Sequence, residues 1–230
     1  MPTGDSVRES YDAAAAAYAA HLSDELDHKP LDRHLLNRFA EEVSGRGLVA
    51  DLGCGPGHVA AYLAARGVSA LGIDLSPAMI AAASSRHPGI DFRAGDMRRL
   101  DLADASLAGA VVFYSIVHFD AAELPPVFTE LRRVLAPGGL ALVAFHVRTP
   151  DDAEVVHVDD LFGAKVSLDF RFHSPDAVES ALEAAGLPVF ERIEREPYEG
   201  AEHPSRRCYL LARAGRSATA NPAVRSSGEW

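Results

Sequence analysis

The 230-residue chain contains little cysteine and no long apolar run. Its two cysteines, Cys54 and Cys208, are too few for a disulfide-stapled scaffold or a cysteine-ligated zinc cage. No apolar stretch approaches the roughly 18 residues that a membrane-spanning helix needs. The N-terminus also lacks the basic segment followed by an apolar run that is typical of a secretory signal. We therefore expect a soluble, cytoplasmic protein with no membrane partner.

Basic charge is also scarce. Lysine and arginine total 22 against 33 aspartates and glutamates, which gives a formal net charge of −11. Nucleic-acid-binding domains usually carry a basic patch, and membrane-surface anchors carry a polybasic segment. The composition therefore predicts no nucleic-acid partner and favours a neutral or cationic small molecule. The hydrophobic content of 48% is sufficient for one sizeable core.

Hydrophobic periodicity predicts an α/β fold. Two helices, at 5–22 and 31–43, precede the first strand, so residues 1–47 are expected to form an N-terminal helical cap or lid. Strands then alternate with helices, which is typical of a doubly wound, mostly parallel sheet with helices on both faces. The expected strands are 48–52, 69–73, 90–94, 109–114 and 139–146, and the expected helices are 58–66, 77–86 and 122–135.

The C-terminal part departs from this alternation. Residues from about 147 to 173 have little helix signal, and we expect an inserted loop or hairpin there. A serine and a proline at 174–175 resemble a helix N-cap and first turn, which predicts a helix to about 185. An antiparallel pair at 188–196 and 206–213 completes seven strands and ends the core, 48–213. The Ser/Ala/Arg/Gly-rich tail, 214–230, is expected to be flexible.

A glycine-rich loop, Gly53-Cys54-Gly55-Pro56-Gly57, directly follows the first predicted strand. Glycines there let the backbone approach a ligand closely. Gly55-x-Gly57-x-x-Ala60 also satisfies a loose dinucleotide pattern, so an NAD(P)-dependent oxidoreductase must be considered. Asp51 argues against it, because a carboxylate beside the loop suits a cationic ligand better than a pyrophosphate.

Acidic residues also end the second and third strands. Asp74 follows the loop by about twenty residues, where a carboxylate can accept hydrogen bonds from both ribose hydroxyls of a nucleoside. Asp96 ends the third strand, where it can accept a hydrogen bond from an adenine amino group while Met97 lies against the ring. These positions predict a nucleoside-containing ligand at the carboxyl edge of the sheet.

In this order, the motifs resemble those of the class I S-adenosylmethionine (SAM) dependent methyltransferases, in their bacterial small-molecule, natural-product group. The resemblance is strong over about 45–146 and implies a Rossmann-like fold, with SAM as cofactor and S-adenosylhomocysteine (SAH) as product. It is carried by Asp51-x-Gly53-x-Gly55-x-Gly57, Asp74-Leu75-Ser76-Pro77-x-Met79, Gly95-Asp96-Met97 and Leu131-Arg132-Arg133-Val134-Leu135-x-Pro137-Gly138-Gly139.

The resemblance also implies which residues contact SAM. They are Tyr18, Asp51, Gly53, Cys54, Gly55, Gly57, Asp74, Leu75, Met79, Asp96, Met97, Tyr114 and Ser115. Structural alternatives stay open for some of them: loop capping for Asp51 and Asp96, core packing for Met79, and a small loop residue for Cys54. No metal is expected, because the ten histidines and the acids show no ligand spacing.

Acceptor-side residues are sought near the ends of strands four and five. Methyl transfer depends mainly on alignment of donor and acceptor, and a base is needed only if the acceptor is protonated before attack. His118 is the leading candidate for a base or an acceptor-orienting residue, with helix capping as the alternative. Tyr11 shares a helix face with Tyr18, seven residues on, which fits either a lid over the site or simple packing.

The inserted region supplies further candidates. Alternation would put Asp169, Arg171 and His173 on one face and two phenylalanines on the other, either as an acceptor wall or as a plain edge strand. Arg171 could orient a carbonyl or carboxylate. The catalytic candidates are His118, Tyr11 and Arg171, and the acceptor-binding candidates are Tyr11, Tyr114, His118, His146, Phe170 and Arg171. The charged residues at 194–196 and 206–207 are expected to form a solvated or paired strand surface.

We therefore predict SAM-dependent methyl transfer to a small aromatic or heterocyclic acceptor. Its nitrogen, carbon or oxygen atom could be methylated, and an indole-like acceptor is one possibility. The alternatives are a SAM-binding protein without transferase activity and an NAD(P)-dependent oxidoreductase. The small-molecule acceptor is the expected partner, and the protein is expected to be a monomer or homodimer.

Overall fold

The computed structural model of the protein describes residues 4–22, 24–148 and 155–215. The helices are α1 (Gly4–His21), α2 (Pro30–Val43), α3 (His58–Ala64), α4 (Pro77–Arg86), α5 (Leu124–Val134) and α6 (Pro175–Ala184). The strands are β1 (Leu48–Leu52), β2 (Ser69–Asp74), β3 (Asp91–Ala94), β4 (Leu107–Phe113), β5 (Leu135–His146), β6 (Val155–Leu161), β7 (Ala164–Arg171), β8 (Val189–Arg195) and β9 (Arg207–Arg213). None of the helices in the described ranges is long and apolar enough to cross a membrane.

Most strands form one twisted sheet. Within the described residues it has seven strands, in the order β3-β2-β1-β4-β5-β9-β8. The first five pair in parallel, and β9 lies antiparallel between β5 and β8. This confirms the predicted doubly wound, mostly parallel sheet with an antiparallel final pair. The strand order reverses between β1 and β4, and ligands of such sheets bind beyond the carboxyl ends of the strands at that point.

Both faces of the sheet are covered by helices. Leu35 and Phe39 of α2 pack on one face, and Phe128 and Leu131 of α5 pack on the other. Full burial of one such side chain contributes about 1.5–3 kcal/mol. These layers explain why β4 reads as a nearly continuous apolar run rather than an alternating one.

The inserted region forms a hairpin of β6 and β7, separate from the main sheet. It lies within the expected insertion, about 147–173, of which residues 149–154 are outside the described ranges. The hairpin meets the cap helix, because Ser10 Oγ accepts a hydrogen bond from Ser167 N at 3.1 Å. Of the predicted flexible tail, 216–230 lies outside the described residues. Ala214 is instead buried, and its N–H donates to the Gly139 carbonyl.

One buried carboxylate fastens the cap to the sheet. Asp32 of α2 is completely buried. Its Oδ1 accepts hydrogen bonds from the hydroxyls of Tyr114 at 2.9 Å and Tyr209 at 2.7 Å. Its Oδ2 accepts from Arg195 at 3.0 Å. Of the two alternatives for Arg195, a solvated or a paired strand residue, the structure shows the paired one, because its side chain is only 10% exposed and pairs with buried acids.

A second buried carboxylate organises the start of α3. Asp51 ends β1, and its Oδ2 accepts a hydrogen bond from Ala60 N at 3.0 Å. Gly57, at the N-cap position of α3, has no side chain to supply this bond. Burial raises the pKa of Asp51 to about 7, although the charge of His58 and the Ala60 bond oppose the rise. This bond supports helix capping for Asp51, which is not among the residues that line the cavity, and a contact with the cofactor stays a prediction.

Asp32→Ala should lower the free energy of unfolding by about 3–5 kcal/mol, because it removes one of the two carboxylates that pair with Arg195 and the shared acceptor of two buried tyrosine hydroxyls. The matched control is Asp159→Ala on β6, where the side chain is exposed and a change within about 0.5 kcal/mol is expected. Chemical denaturation at pH 7 measures both. A loss below about 1 kcal/mol for Asp32→Ala would contradict the anchoring role.

Asp51→Asn should become more favourable relative to the wild type as pH rises from 5 to 8. The pKa of Asp51 is higher in the folded than in the unfolded chain, so ionisation as pH rises costs folding free energy. Asparagine cannot ionise, and its amide oxygen still accepts from Ala60 N. Urea denaturation at both pH values gives the difference, and a difference independent of pH would refute the raised pKa. Asp51→Ala, which lacks an acceptor, should be destabilised by about 1–3 kcal/mol.

Candidate active site

A cavity of about 830 Å³ lies at the carboxyl ends of β1 and β4, under α1 and the β6–β7 hairpin. Binding sites for small molecules typically measure about 300–1,000 Å³, so this one has room for a nucleoside cofactor and a second small molecule. The predicted site residues that line it are Tyr11, Tyr18, Gly53, Cys54, Gly55, Asp74, Leu75, Met79, Asp96, Met97, Tyr114, Ser115, His118, His146, Phe170 and Arg171.

The backbone N–H groups of the glycine loop are already used inside the protein. Gly53 and Cys54 both donate to the Ile73 carbonyl, at 2.8 and 3.1 Å. Gly55 donates to Asp74 Oδ2 at 2.8 Å. A pyrophosphate-binding loop needs such N–H groups for its ligand, whereas this loop places a carboxylate beside the cavity. Its chemistry therefore suits a cation rather than a dinucleotide.

Two of the loop glycines are required by close packing. Gly53 has a φ of +72°, and a Cβ there would lie 2.3 Å from the Cβ of Ser115. Ser115 in turn donates to the Leu52 carbonyl at 2.8 Å, so the ends of β1 and β4 interlock. Gly57 has a φ of +82° and faces the Phe92 ring, 2.6 Å from the position of a Cβ. Close packing therefore requires a glycine at position 57, and its contact with the cofactor stays a prediction.

Asp74 and Asp96, at the ends of the second and third strands, differ in how freely their carboxylate oxygens can accept a hydrogen bond from a ligand. Asp74 accepts from Ser76 N and Gly55 N, both at 2.8 Å, and burial raises its pKa. Each of its oxygens keeps acceptor capacity for a ribose hydroxyl. Asp96 pairs with Arg98 through both oxygens, at 3.0 and 2.6 Å. Burial alone would raise the pKa of Asp96, but the bonds from Arg98 outweigh it and the pKa is lowered.

Four more of the residues predicted to contact the cofactor, Met79, Met97, Cys54 and Tyr114, line the cavity. Met79 is a buried residue of α4, and Met97 packs against the main core. Cys54 is buried, and burial raises the pKa of its thiol, so it is not poised as a nucleophile. The Tyr114 hydroxyl points to Asp32 rather than to the cavity, so only its ring is available there.

The cap helix brings two tyrosines over the cavity. The ring of Tyr18 lies 5.8 Å from that of Tyr11 and 5.7 Å from that of Phe162 at the hairpin tip. Phe162 also stacks on His21 at 3.8 Å between ring centroids. Cap and hairpin therefore meet through aromatic side chains above the glycine loop.

His118 is held between the cap and the hairpin. Its Nε2 lies 2.8 Å from the Tyr11 hydroxyl, and its Nδ1 lies 3.1 Å from the Asp169 carbonyl oxygen. Burial lowers the pKa of His118 to about 4, with Asp169 opposing and Arg171 reinforcing the shift. The imidazole is therefore neutral at pH 7.

The hairpin supplies two phenylalanines to the cavity. The ring of Phe170 lies 5.2 Å from that of His118, and the ring of Phe172 lies 5.7 Å from that of His146. His173, which alternation placed with Asp169 and Arg171, does not share their position. It is buried, and its Nε2 lies 3.1 Å from the Ile116 carbonyl oxygen. The three-residue face predicted for 169–173 is therefore wrong at His173, because the chain turns into the core there.

Several polar residues at the far end of the cavity were not predicted. His146 Nδ1 lies 2.8 Å from Ser205 Oγ, which also accepts from the Arg207 guanidinium at 2.7 Å. Burial, reinforced by the nearby charge of Arg207, lowers the pKa of His146 well below its ordinary value. Arg207, expected on a strand surface, is only 1% exposed. It pairs with His146 in the β5–β9 register, so only the order of the strands could have revealed its position.

An ionic cluster on the cavity wall also went unpredicted. Lys29 Nζ lies 2.5 Å from Glu25 and 3.6 Å from Glu202, and His58 Nε2 lies 2.9 Å from Glu25. Burial would raise the pKa of Glu25, but the bonds from His58 and Lys29 lower it to about 2. The four-residue spacing of Glu25 and Lys29 was a usable signal for their pairing. Within the described residues, no group of three His, Cys, Asp or Glu side chains could hold a metal ion.

Sequence comparison matches residues 49–139 to the family described as a methyltransferase domain. The chain is 29% identical over 177 residues to a probable S-adenosylmethionine-dependent methyltransferase of Mycolicibacterium smegmatis, covering 69% of this chain and 67% of that protein. Other curated relatives match at 32–40% identity, but the chain spans only 26–47% of their length.

Solved structures share the fold. The 4+2 cyclase SpnF superposes with a TM-score of 0.75 at 19% identity, covering 94% of this chain and 97% of that one. A Burkholderia thailandensis 1,6-didemethyltoxoflavin-N1-methyltransferase gives a TM-score of 0.69 at 18% identity, covering 92% and 88%. At such identities these likenesses show the fold alone. Residues 49–139 therefore match a methyltransferase domain, and the solved structures share the Rossmann-like fold.

Proposed function

We propose that this chain transfers a methyl group from SAM to a small aromatic or heterocyclic acceptor. One observation carries the proposal: a single cavity runs from the glycine loop and Asp74 to an aromatic chamber beside Tyr11 and His118. The first part suits a cationic nucleoside, and the second suits a flat, neutral molecule. A continuous space of this kind is what a two-substrate transfer needs, because donor and acceptor must lie in line.

The cofactor end fits SAM by the chemistry of its donors and acceptors. When bound, SAM supplies an electrophilic methyl group on a positively charged sulfur. Gly53, Cys54 and Gly55 would line its methionine part, and Asp74 would bind its ribose. Glu25 and Lys29 offer one charge of each sign on the same wall, which matches a zwitterionic amino-acid group.

The acceptor end favours an aromatic molecule. Phe170 and Phe172 face the neutral imidazoles of His118 and His146, and the Tyr114 ring lies 5.2 Å from that of His146. Aromatic pairs are favourable at centroid distances of about 4.5–7 Å. The B. thailandensis neighbour was crystallised with 1,6-didemethyltoxoflavin and SAH, which supports a small-molecule acceptor here. An indole-like ring is one example of this class, and nitrogen, carbon and oxygen acceptor atoms all remain candidates.

The cap and the insertion each contribute residues to the cavity. Described residues of the cap, 1–47, such as Tyr11 and Tyr18, and of the insertion, about 147–173, such as Phe170 and Arg171, line the cavity together with residues of the core, 48–213. We propose that the cap acts as a lid and that the insertion binds the acceptor. The contacts between Ser10 and Ser167 and between Tyr18 and Phe162 support this, since they close the roof from both sides.

SAH should bind to the purified protein in isothermal titration calorimetry, whereas NADH and NADPH should not. Asp74→Asn should weaken SAH binding about ten- to a hundredfold, because an amide loses acceptor capacity for a ribose hydroxyl. Asp91→Asn on the neighbouring β3 is the matched control, since Asp91 is exposed and pairs with Arg93 outside the cavity. Competition of NADH with SAH, or unchanged affinity in Asp74→Asn, would refute the cofactor assignment.

Phe172→Ala should raise the KM for an active aromatic acceptor about two- to tenfold without changing the Kd for SAH, since it removes one ring contact. The assay follows SAH release from SAM with a panel of phenols, indoles and aromatic carboxylates. Phe190→Ala is the control, because Phe190 is 49% exposed on β8. SAH binding without SAH release from any member of the panel would favour the alternative, a SAM-binding protein without transferase activity.

A further inference from the structure

The protonation of His118 can be read from its two hydrogen-bond partners. A backbone carbonyl oxygen can only accept, so the Nδ1 that faces the Asp169 carbonyl must carry the proton. In the neutral imidazole the proton is then absent from Nε2. Nε2 therefore accepts a hydrogen bond, and the Tyr11 hydroxyl at 2.8 Å is its donor.

Tyr11 and His118 both line the cavity, and the Tyr11 hydroxyl occupies the basic nitrogen of His118. Because Nε2 is already engaged, His118 cannot take a proton directly from a bound molecule without displacing Tyr11. The Tyr11 oxygen accepts as well as donates, so it can receive a proton from an acceptor while passing its own proton to Nε2. Burial, with Tyr18 and Asp74 nearby, raises the pKa of Tyr11 well above its ordinary value, so the phenol stays protonated at rest.

Burial disfavours an imidazolium at His118, and the Asp169 carboxylate offsets part of that cost. The charged groups that bear on His118 are Asp169 and Arg171 of β7, which act in opposite directions. The Asp169 carboxylate lies 2.8 Å from His157 and remains close enough to favour a positive His118. The low resting pKa keeps His118 free to accept a proton at neutral pH, and the return of that proton to solvent resets the site.

We propose that Tyr11 and His118 form a proton relay, so that the acceptor atom is an O–H or N–H group rather than a carboxylate. The acceptor atom bonds to the methyl carbon while the sulfur–carbon bond breaks and sulfur keeps the electron pair. The acceptor proton moves to Tyr11 Oη, and the Tyr11 proton moves to His118 Nε2. The positive charge thus passes from sulfur to imidazolium. The inference rests on the proposed function and narrows its acceptor class.

The first test needs no acceptor. In ¹⁵N-labelled full-length protein saturated with SAH, His118 should be neutral at pH 7 with its proton on Nδ1, and should remain so down to about pH 5. Tyr11→Phe should shift the Nε2 resonance through loss of the hydrogen bond. A proton on Nε2 at pH 7 in protein that binds SAH would overturn the relay but not the proposed function.

The second test uses matched probes, 2-naphthol with its O–H group and 2-naphthoate with its ionised carboxylate. SAH release is expected with the first and not with the second. Tyr11→Phe should lower kcat about 10²–10⁴-fold, leave the Kd for SAH unchanged, and make the rate rise with pH as the probe ionises in solution. Tyr62→Phe, whose hydroxyl bonds Asn37, is the control and should match the wild type.

The outcomes separate the two proposals. Methylation of 2-naphthoate at least as fast as 2-naphthol, or full kcat in Tyr11→Phe, overturns the relay while leaving the transferase in place. Failure of SAH to bind, or absence of SAH release with either probe and the wider panel, counts against the proposed function itself. Even then, the ¹⁵N measurement of which His118 nitrogen carries the proton tests the hydrogen-bond arrangement of the relay on its own.

Discussion

The rest of the site depends on the buried carboxylate of Asp32. Its hydrogen bond to Tyr114 holds that residue at the end of β4, where the backbone has a left-handed φ of +52° that a tyrosine rarely adopts. This bend sets Ser115 against Gly53, and the short 3₁₀ helix Ile116–His118 follows directly. The position of His118 in the cavity therefore depends on α2, through the hydrogen bond between Asp32 and Tyr114.

Electrostatics then divides the cavity into two parts. At the glycine loop, the backbone N–H groups already donate to Ile73 and Asp74. The atoms left to contact a ligand are therefore oxygens, which attract a cation. At the chamber, burial keeps His118 and His146 neutral. In the proposed relay, the positive charge passes from the sulfur of the methyl donor to His118, where the nearby Asp169 favours the imidazolium. The division follows from burial and hydrogen bonding more than from the net charge of the whole chain.

Periodicity predicted the strands and helices closely, because buried parallel strands and amphipathic helices each impose a local pattern. The loop and Asp74 were also predictable, since they follow strands directly. Arg195 and Arg207 were not, because their burial arises from the insertion of β9 between β5 and β8, a long-range event with no local signal. For Asp51 the sequence left both a cofactor contact and loop capping open, because a carboxylate at a strand end can serve a helix as well as a ligand.

The fold does not by itself decide the chemistry. The same architecture occurs in a cyclase and in an N-methyltransferase, so activity must reside in particular side chains. The matched methyltransferase domain, 49–139, contains the glycine loop, Asp74 and His118. Tyr11 and Phe170 lie outside it, on the cap and the hairpin. The cofactor would then be recognised by the shared domain, whereas the acceptor and its proton would be handled where the flanking segments meet His118.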